Sequence, residues 1–234
     1  MPIRNVMLDL DDTILNFHAA ERAALTETFR RFGLEPGEEN LRAYSEINRG
    51  FWQALERGEI TRQRLLVARF EALYVRLLGL SAPHPSAAET QDFYEKKLSE
   101  GHEFMPGARQ MLEALSGRYR LYLASNGNIN VQRPRIRDSG LAGYFDDIFI
   151  SEEMGADKPS PAYFDLCFAR MPGARREETA IVGDSPTSDI LGGNRAGIHT
   201  IRYNPTGDLS RIDILPEFEI TSLADLPDLL ASIP

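Results

Sequence analysis

Val6-Met7-Leu8-Asp9-Leu10-Asp11-Asp12-Thr13 sets an uninterrupted apolar run against a cluster of carboxylates. The run predicts a strand buried on both faces, as in a parallel sheet. Alternate side chains of an extended chain share a face, so Asp9 and Asp11 emerge on one side where the strand ends. Two carboxylates that close repel one another and favour a cation or a proton between them. Asp9 is the candidate nucleophile, because a carboxylate attacking phosphorus gives an acyl phosphate. Its own charge repels a phosphate, which calls for a divalent cation between the two. Asp11 is the candidate general acid, protonating the departing oxygen and then activating water. Asp-Asp-Thr is also an ordinary turn with a helix cap. Two further carboxylates in a matching context favour the chemical reading.

Outward from this stretch, strand signals fall at residues 3–8, 119–124, 147–150, 179–182 and 198–203. Helical patterns over 107–116, 131–138, 161–171 and 186–196 separate the later ones, and 218–232 reads as one more short strand and helix. Alternating strand and helix predicts right-handed crossovers and an α/β doubly wound parallel sheet with a Rossmann-like core. Residues 16–98 break the alternation. They carry helical periodicity over 19–32, 38–56, 61–78 and 87–98, punctuated by Gly33, Pro36, Gly58, Gly79 and Pro83. This block reads as an inserted all-helical cap, leaving 1–15 and 99–234 as the catalytic core.

Further chemistry sits at the predicted strand ends. Ser125-Asn126-Gly127 closes the second strand, where a hydroxyl and a backbone amide can hold phosphate oxygens. Lys158 follows the third strand and is placed to face a phosphate. Gly183-Asp184 ends the fourth strand, and Asp189 lies in the first turns of the next helix, leaning back towards the site. Oxygen-only ligands suit a hard cation such as Mg2+. His84, His102 and His199 lack metal-ligand spacing. Cys167, among Phe164, Leu166 and Phe168, reads as a buried structural thiol. Arg133, Arg135 and Arg137 recur at alternate positions and read as a solvated helix face. Neither a Gly-Lys-Ser/Thr phosphate loop nor a Gly-x-Gly-x-x-Gly fingerprint is present.

The totals narrow the partners. The chain has 234 residues, 42% hydrophobic and 26% charged, in the range of a globular protein with one large domain or a core plus an insert. A formal charge of −9 argues against a nucleic-acid polymer or an anionic membrane as partner. A small anionic substrate stays compatible with it, since a metal ion and one lysine reverse the sign locally. No apolar run reaches membrane-spanning length. One cysteine and no signal-peptide pattern point to the cytoplasm.

Asp9-x-Asp11-x-Thr13, Ser125-Asn126, Lys158, and Gly183-Asp184 with Asp189, in this order, resemble the motifs of the haloacid dehalogenase superfamily. The resemblance implies a magnesium-dependent phosphatase working through an aspartyl phosphate. Asp9 would be the nucleophile and Asp11 the acid/base with its backbone carbonyl on magnesium. Asp184 would be a further metal ligand, with Asp189 supporting the metal site. Ser125, Asn126 and Lys158 would bind phosphate. It also implies that the Asp9 strand is central, with those of Ser125 and Asp184 on either side.

Residues 46–52, 58–61, 150–155 and 188–193 are similar to the bacterial house-cleaning pyrimidine 5'-nucleotidases. They imply a nucleoside 5'-monophosphate as substrate. Asn48 and Trp52, one helical turn apart, and Phe17 could then close over the nucleobase. Packing of Trp52 between cap helices is the alternative. Other metabolite phosphates, sugar phosphates included, remain open as substrates. True dehalogenases generally lack the second aspartate, and phosphomutases need a second phosphate-binding group in the cap. A phosphorylation-controlled receiver module is compact and carries no long helical insert.

Overall fold

The structure is a computed structural model that describes residues 1–209 and 213–234. Six strands form one sheet: β1 (Asn5–Leu8), β2 (Arg120–Ser125), β3 (Asp147–Ile150), β4 (Thr179–Gly183), β5 (His199–Tyr203) and β6 (Phe218–Ile220). Their order is β3-β2-β1-β4-β5-β6, and every pairing is parallel. β1 is therefore flanked by β2 and β4, with Met7 in register with Tyr122 on one side and Ile181 on the other.

Ten α-helices accompany the strands among the described residues. α1 (Phe17–Arg31), α2 (Glu38–Glu56), α3 (Arg62–Leu78) and α4 (Ala87–Leu98) all precede β2. α5 (Ala108–Leu115), α6 (Ile129–Asp138), α7 (Ser151–Met154), α8 (Pro161–Ala169), α9 (Leu191–Ala196) and α10 (Leu226–Ser232) follow. The chain divides into two compact units, Met1–Phe17 with His102–Pro234, and His18–Gly101.

In the first unit the period of two along each strand sends apolar side chains to both faces of the sheet. Val6, Leu8, Leu121, Leu123, Ala180 and Val182 pack with Met111, Leu112 and Leu115 of α5 and Leu226 and Leu230 of α10. Met7, Tyr122, Ala124 and Ile181 pack on the other side with Tyr163, Phe164 and Cys167 of α8. A sheet covered on both faces explains why the strands read as continuous apolar runs. The Cys167 thiol is enclosed there, and burial pushes it up to about 12.

The helical unit is organised by polar groups as well as apolar ones. Thr61 caps α3 by accepting from the Arg64 amide, and Ser86 caps α4 by accepting from the Glu89 amide. At its centre Arg69 of α3 is buried. Its Nη1 donates to Asn48 Oδ1 at 2.8 Å and its Nη2 to Gln91 Oε1 at 2.7 Å. Asn48 Nδ2 in turn donates to Glu21 Oε1 at 3.1 Å, and Ser45 Oγ donates to the other Glu21 oxygen at 2.9 Å. This chain of bonds touches all four helices. The rings of Tyr44, Phe70 and Tyr94 stand 5.1–5.8 Å from the guanidinium carbon, within cation–π range. Burial holds the Glu21 carboxyl above its ordinary range, against the hydroxyl of Ser45 and the charge of Arg69.

Removing one member of a buried, paired network leaves its partners uncompensated. Arg69→Ala is expected to destabilise the helical unit by about 3–5 kcal/mol, read as a lower denaturant midpoint. A loss below about 1 kcal/mol, the scale of an exposed pair, would show that the network does not hold these helices.

Candidate active site

The site is built where β1, β2 and β4 end side by side. The Asp9 amide donates to Val182 O at 2.9 Å, extending the β1–β4 pairing by one residue and fixing Asp9 beside Gly183 and Asp184. The chain then turns sharply. Asp12 takes a left-handed φ of 56°, its amide donates to Leu15 O, and Leu10 O accepts from both Ile14 and Leu15. Asp tolerates this backbone conformation better than most residues do.

Lys158 is the hub. Fully buried, its Nζ donates to Asp9 Oδ1 at 2.7 Å, to Asp189 Oδ1 at 2.7 Å and to the backbone carbonyl of Ala124 at 2.6 Å. All three ammonium protons thus have acceptors. Asn126 fixes the lysine's own backbone: Nδ2 donates to Lys158 O at 2.7 Å, and Oδ1 accepts from the Lys158 amide at 2.9 Å. The Asn126 side chain therefore acts on Lys158.

Asp189 lies beneath this hub. Its Oδ2 accepts from the Ser185 amide at 3.1 Å while its Oδ1 holds Lys158. The helix predicted over 186–196 opens as a wide π-type turn over Pro186–Ile190 before α9 begins. In that turn Ser185 O accepts from both Asp189 and Ile190, and Ser185 Oγ caps the Ser188 amide. The carboxylate also crosses over Gly183. A Cβ there would overlap the Asp189 side chain, so glycine is required before Asp184.

Electrostatically the cluster carries excess negative charge. Carboxylate oxygens of Asp9, Asp184 and Asp189 lie within 4.8 Å of one another, and one ammonium serves them. Burial works against the Lys158 charge, but Asp189 and Asp9 outweigh it and hold the amine above the ordinary lysine range. Burial is the largest influence on Asp9 and pushes its carboxyl up. Lys158 pulls it down, and the Asp189 and Asp11 charges push it up again. Asp184 is raised for the same reasons, burial first and then the Asp9 and Asp189 charges. Three carboxylates against one amine, all offering oxygen donors, fit a hard divalent cation, which would offset the two surplus charges.

Asp11 faces a different set of partners. Gln132 Nε2 donates to Asp11 Oδ2 at 2.6 Å and to Ser125 Oγ at 2.9 Å. Arg135 Nη1 donates to Asp11 Oδ1 and, at 2.8 Å, to Gln132 Oε1. The expected solvated arginine face therefore fails at its middle member. Arg133 pairs with Glu153 and Arg137 with Asp138 at the surface, but Arg135 is fully buried. Its guanidinium stands 5.9 Å from the Phe17 ring. The signal lay in the periodicity. Val131, Gln132, Arg135 and Ile136 form the buried stripe of α6, so Arg135 holds a core position where an unpaired charge is costly.

Asp9, Lys158, Asp184 and Asp189 are thus gathered in one cluster, while Ser125 and Asp11 are joined through Gln132. In the helical unit Asn48 is buried with its amide committed to Glu21 and Arg69. Trp52 is half-buried, with the Arg62 guanidinium 5.3 Å from its ring. No described helix is long and apolar enough to cross a membrane.

Known proteins place this arrangement. Residues 3–197 match the haloacid dehalogenase-like hydrolase family. The HAD-hydrolase YfnB of Bacillus subtilis (strain 168) is 38% identical over 227 residues, covering 97% of this chain and 95% of the relative. The pyrimidine 5'-nucleotidase PynA of Streptococcus pneumoniae is 35% identical over 226 residues, covering 96% of this chain and 94% of the relative. A crystal structure of YfnB bound to magnesium aligns with a TM-score of 0.91 at 37% identity, covering 98% of this chain and 99% of that one. On sequence and fold together, this chain belongs to the haloacid dehalogenase-like hydrolases.

Proposed function

We propose that the protein is a magnesium-dependent phosphatase that hydrolyses nucleoside 5'-monophosphates, pyrimidine nucleotides first, through an aspartyl phosphate on Asp9. The observation that carries this reading is the gathering of Asp9, Asp184 and Asp189 carboxylate oxygens within 4.8 Å of one another, with Lys158 bridging Asp9 and Asp189. The likeness to PynA supports the nucleotide as substrate. The second aspartate, which true dehalogenases generally lack, supports phosphorus over carbon as the centre attacked.

Asp9, Asp184 and the backbone carbonyl of Asp11 would hold Mg2+, with Asp189 supporting them. Bound there, the cation would offset the carboxylate charge and lower the repulsion between Asp9 and a phosphate. The protein's own groups do the rest. Lys158 holds Asp9 by Oδ1 and orients it. Asp9 attacks phosphorus, and the ester P–O bond breaks as Asp11 gives a proton to the leaving ribose oxygen. Water then attacks phosphorus and gives a proton to Asp11, the bond between Asp9 and phosphorus breaks, and inorganic phosphate leaves with the Asp9 carboxylate restored. The Ser125 hydroxyl and the Asn126 backbone amide close the strand end where phosphate oxygens would sit. The helical unit of residues 18–101 serves as the cap, and Trp52 is its candidate base-stacking residue.

Phosphate release measured with and without magnesium, across nucleoside monophosphates, sugar phosphates and a 2-haloacid, tests the reading. Pyrimidine monophosphates are expected to turn over fastest, with activity lost on chelation and restored by excess magnesium. A preference for sugar phosphates would overturn the nucleotidase assignment, and halide release would overturn the reaction.

Gly183→Ala probes the metal side. The new Cβ displaces the Asp189 carboxylate and with it Lys158. A misplacement of about 1 Å is enough to cost roughly 10²-fold in rate, so kcat is expected to fall by at least that. Wild-type kcat in this variant would remove Asp189 from the working site.

A further inference from the structure

A general acid must have its carboxyl aimed at the leaving oxygen, and the backbone around Asp11 does little to supply that aim. Asp11 lies beyond the end of β1, in a turn with little sheet pairing of its own. Its two carboxylate oxygens are both taken by side chains of α6, the helix that succeeds the Ser125-Asn126-Gly127 stretch.

Resting on the reading of Asp11 as acid and base, we propose that Arg135 and Gln132 are positioning residues that aim the Asp11 carboxyl and lock it in register with the phosphate-binding hydroxyl of Ser125. Four observations carry this. Gln132 uses one nitrogen for two acceptors, Asp11 Oδ2 and Ser125 Oγ. The proton-transfer group and a phosphate-binding group are thereby tied to one atom. Arg135 grips the other Asp11 oxygen and braces Gln132 by its carbonyl, which fixes the orientation of the Gln132 amide. Both donor side chains are buried, while the Asp11 carboxylate they hold stays 25% exposed on the side left to a substrate. Gly127 leaves the path open: a Cβ there would stand 2.5 Å from Gln132 Nε2 and 2.6 Å from its Cγ. The glycine of Ser-Asn-Gly thus makes room for Gln132.

The consequence concerns one bond-breaking event. When the ester P–O bond breaks, its electron pair goes to the leaving oxygen, which takes the Asp11 proton as Asp9 bonds to phosphorus. An alkoxide needs that proton, whereas a p-nitrophenolate leaves without it. Loss of aim at Asp11 therefore slows cleavage of a nucleotide far more than cleavage of an aryl ester. Damage to Asp9, Lys158 or the metal ligands slows both.

The test is single-turnover ester cleavage by the magnesium-loaded enzyme on a pyrimidine nucleoside monophosphate and on p-nitrophenyl phosphate. The variants are Arg135→Met, Arg135→Lys, Gln132→Leu and Gly127→Ala. General acid catalysis is worth about 10²–10⁴-fold. Arg135→Met is accordingly expected to cleave the nucleotide about 10²-fold more slowly, with the first-turnover release of p-nitrophenolate within about threefold of wild type. Gln132→Leu, which also frees Ser125, is expected to lose about 10²-fold more on the nucleotide than on the aryl ester. Arg135→Lys should recover part of the nucleotide rate. Gly127→Ala, which deletes no polar group, should match Gln132→Leu, and it decides the matter if the buried arginine variants melt at the assay temperature. Parallel losses on both esters, or no loss on either, overturn the positioning role while leaving the phosphatase reading standing. A wild-type enzyme that cleaves neither ester overturns both.

Discussion

The buried ammonium of Lys158 is the interaction on which the rest of the site depends. An unpaired charge in that position would cost several kcal/mol, so its three acceptors are obligatory. They come from three neighbouring strand ends. Ala124 O belongs to β2, Asp9 follows β1, and Asp189 lies just after β4. One amine can reach all three only if β2, β1 and β4 are adjacent and parallel, as they are. The strand order and the site are therefore one constraint viewed at two scales. Ligands of open α/β sheets sit at the carboxyl ends of the strands where the strand order reverses. Here that reversal falls at β1, between β2 and β4, and it brings carboxylates and amine together.

Around this hub the site divides into two halves that use one device. On the β4 side the Asp189 carboxylate crosses over Gly183 to reach Lys158. On the β2 side the Gln132 side chain crosses beside Gly127 to reach Asp11. In each case a polar side chain from the following helix folds back over the strand end, and a glycine provides the space. The wide turn at Pro186–Ile190 belongs to the same solution, since it carries Asp189 back over the strand. Such π-type turns occur frequently at functional sites. Both glycines are thus packing requirements of the chemistry, and their φ values lie outside the left-handed region.

The strands were legible because a sheet covered on both faces leaves unbroken apolar runs such as Val6-Met7-Leu8. Asp9, Asp11 and Asp184 were legible because each follows such a run, Asp189 because it lies in the turn that opens the next helix, and Lys158 because it stands in the connection between β3 and α8. What escaped the sequence depends on side-chain direction. Arg135 looked like one of three alternating surface arginines, although only it shares the stripe of Val131 and Ile136. Asn126 is read from the sequence through its backbone amide, and nothing in the sequence signals that its side chain holds the Lys158 backbone. Asn48 shares a helix turn with Trp52, which suggested a common face. The structure turns its amide into the helical unit, where Arg69 and Glu21 take it up. Spacing gives the helix position, but the identity of a buried polar partner is set by elements distant in sequence.

Three of the buried cations among the described residues of a chain of net charge −9 show why residue type matters as much as charge. Arg69 spans Asn48 and Gln91 on two different helices, and Arg135 spans Asp11 and Gln132. A planar guanidinium with a fixed fork suits bridging two separated acceptors, and in both places it also lies against aromatic rings. Lys158 faces the opposite geometry, three oxygens converging on one point. A compact ammonium with three donors fits that point, while the wider guanidinium would push Asp9 from Asp189. A small hub lets the carboxylates of Asp9, Asp184 and Asp189 lie within 4.8 Å of one another. These geometries account for a lysine at the strand ends and arginines at the bridges between elements.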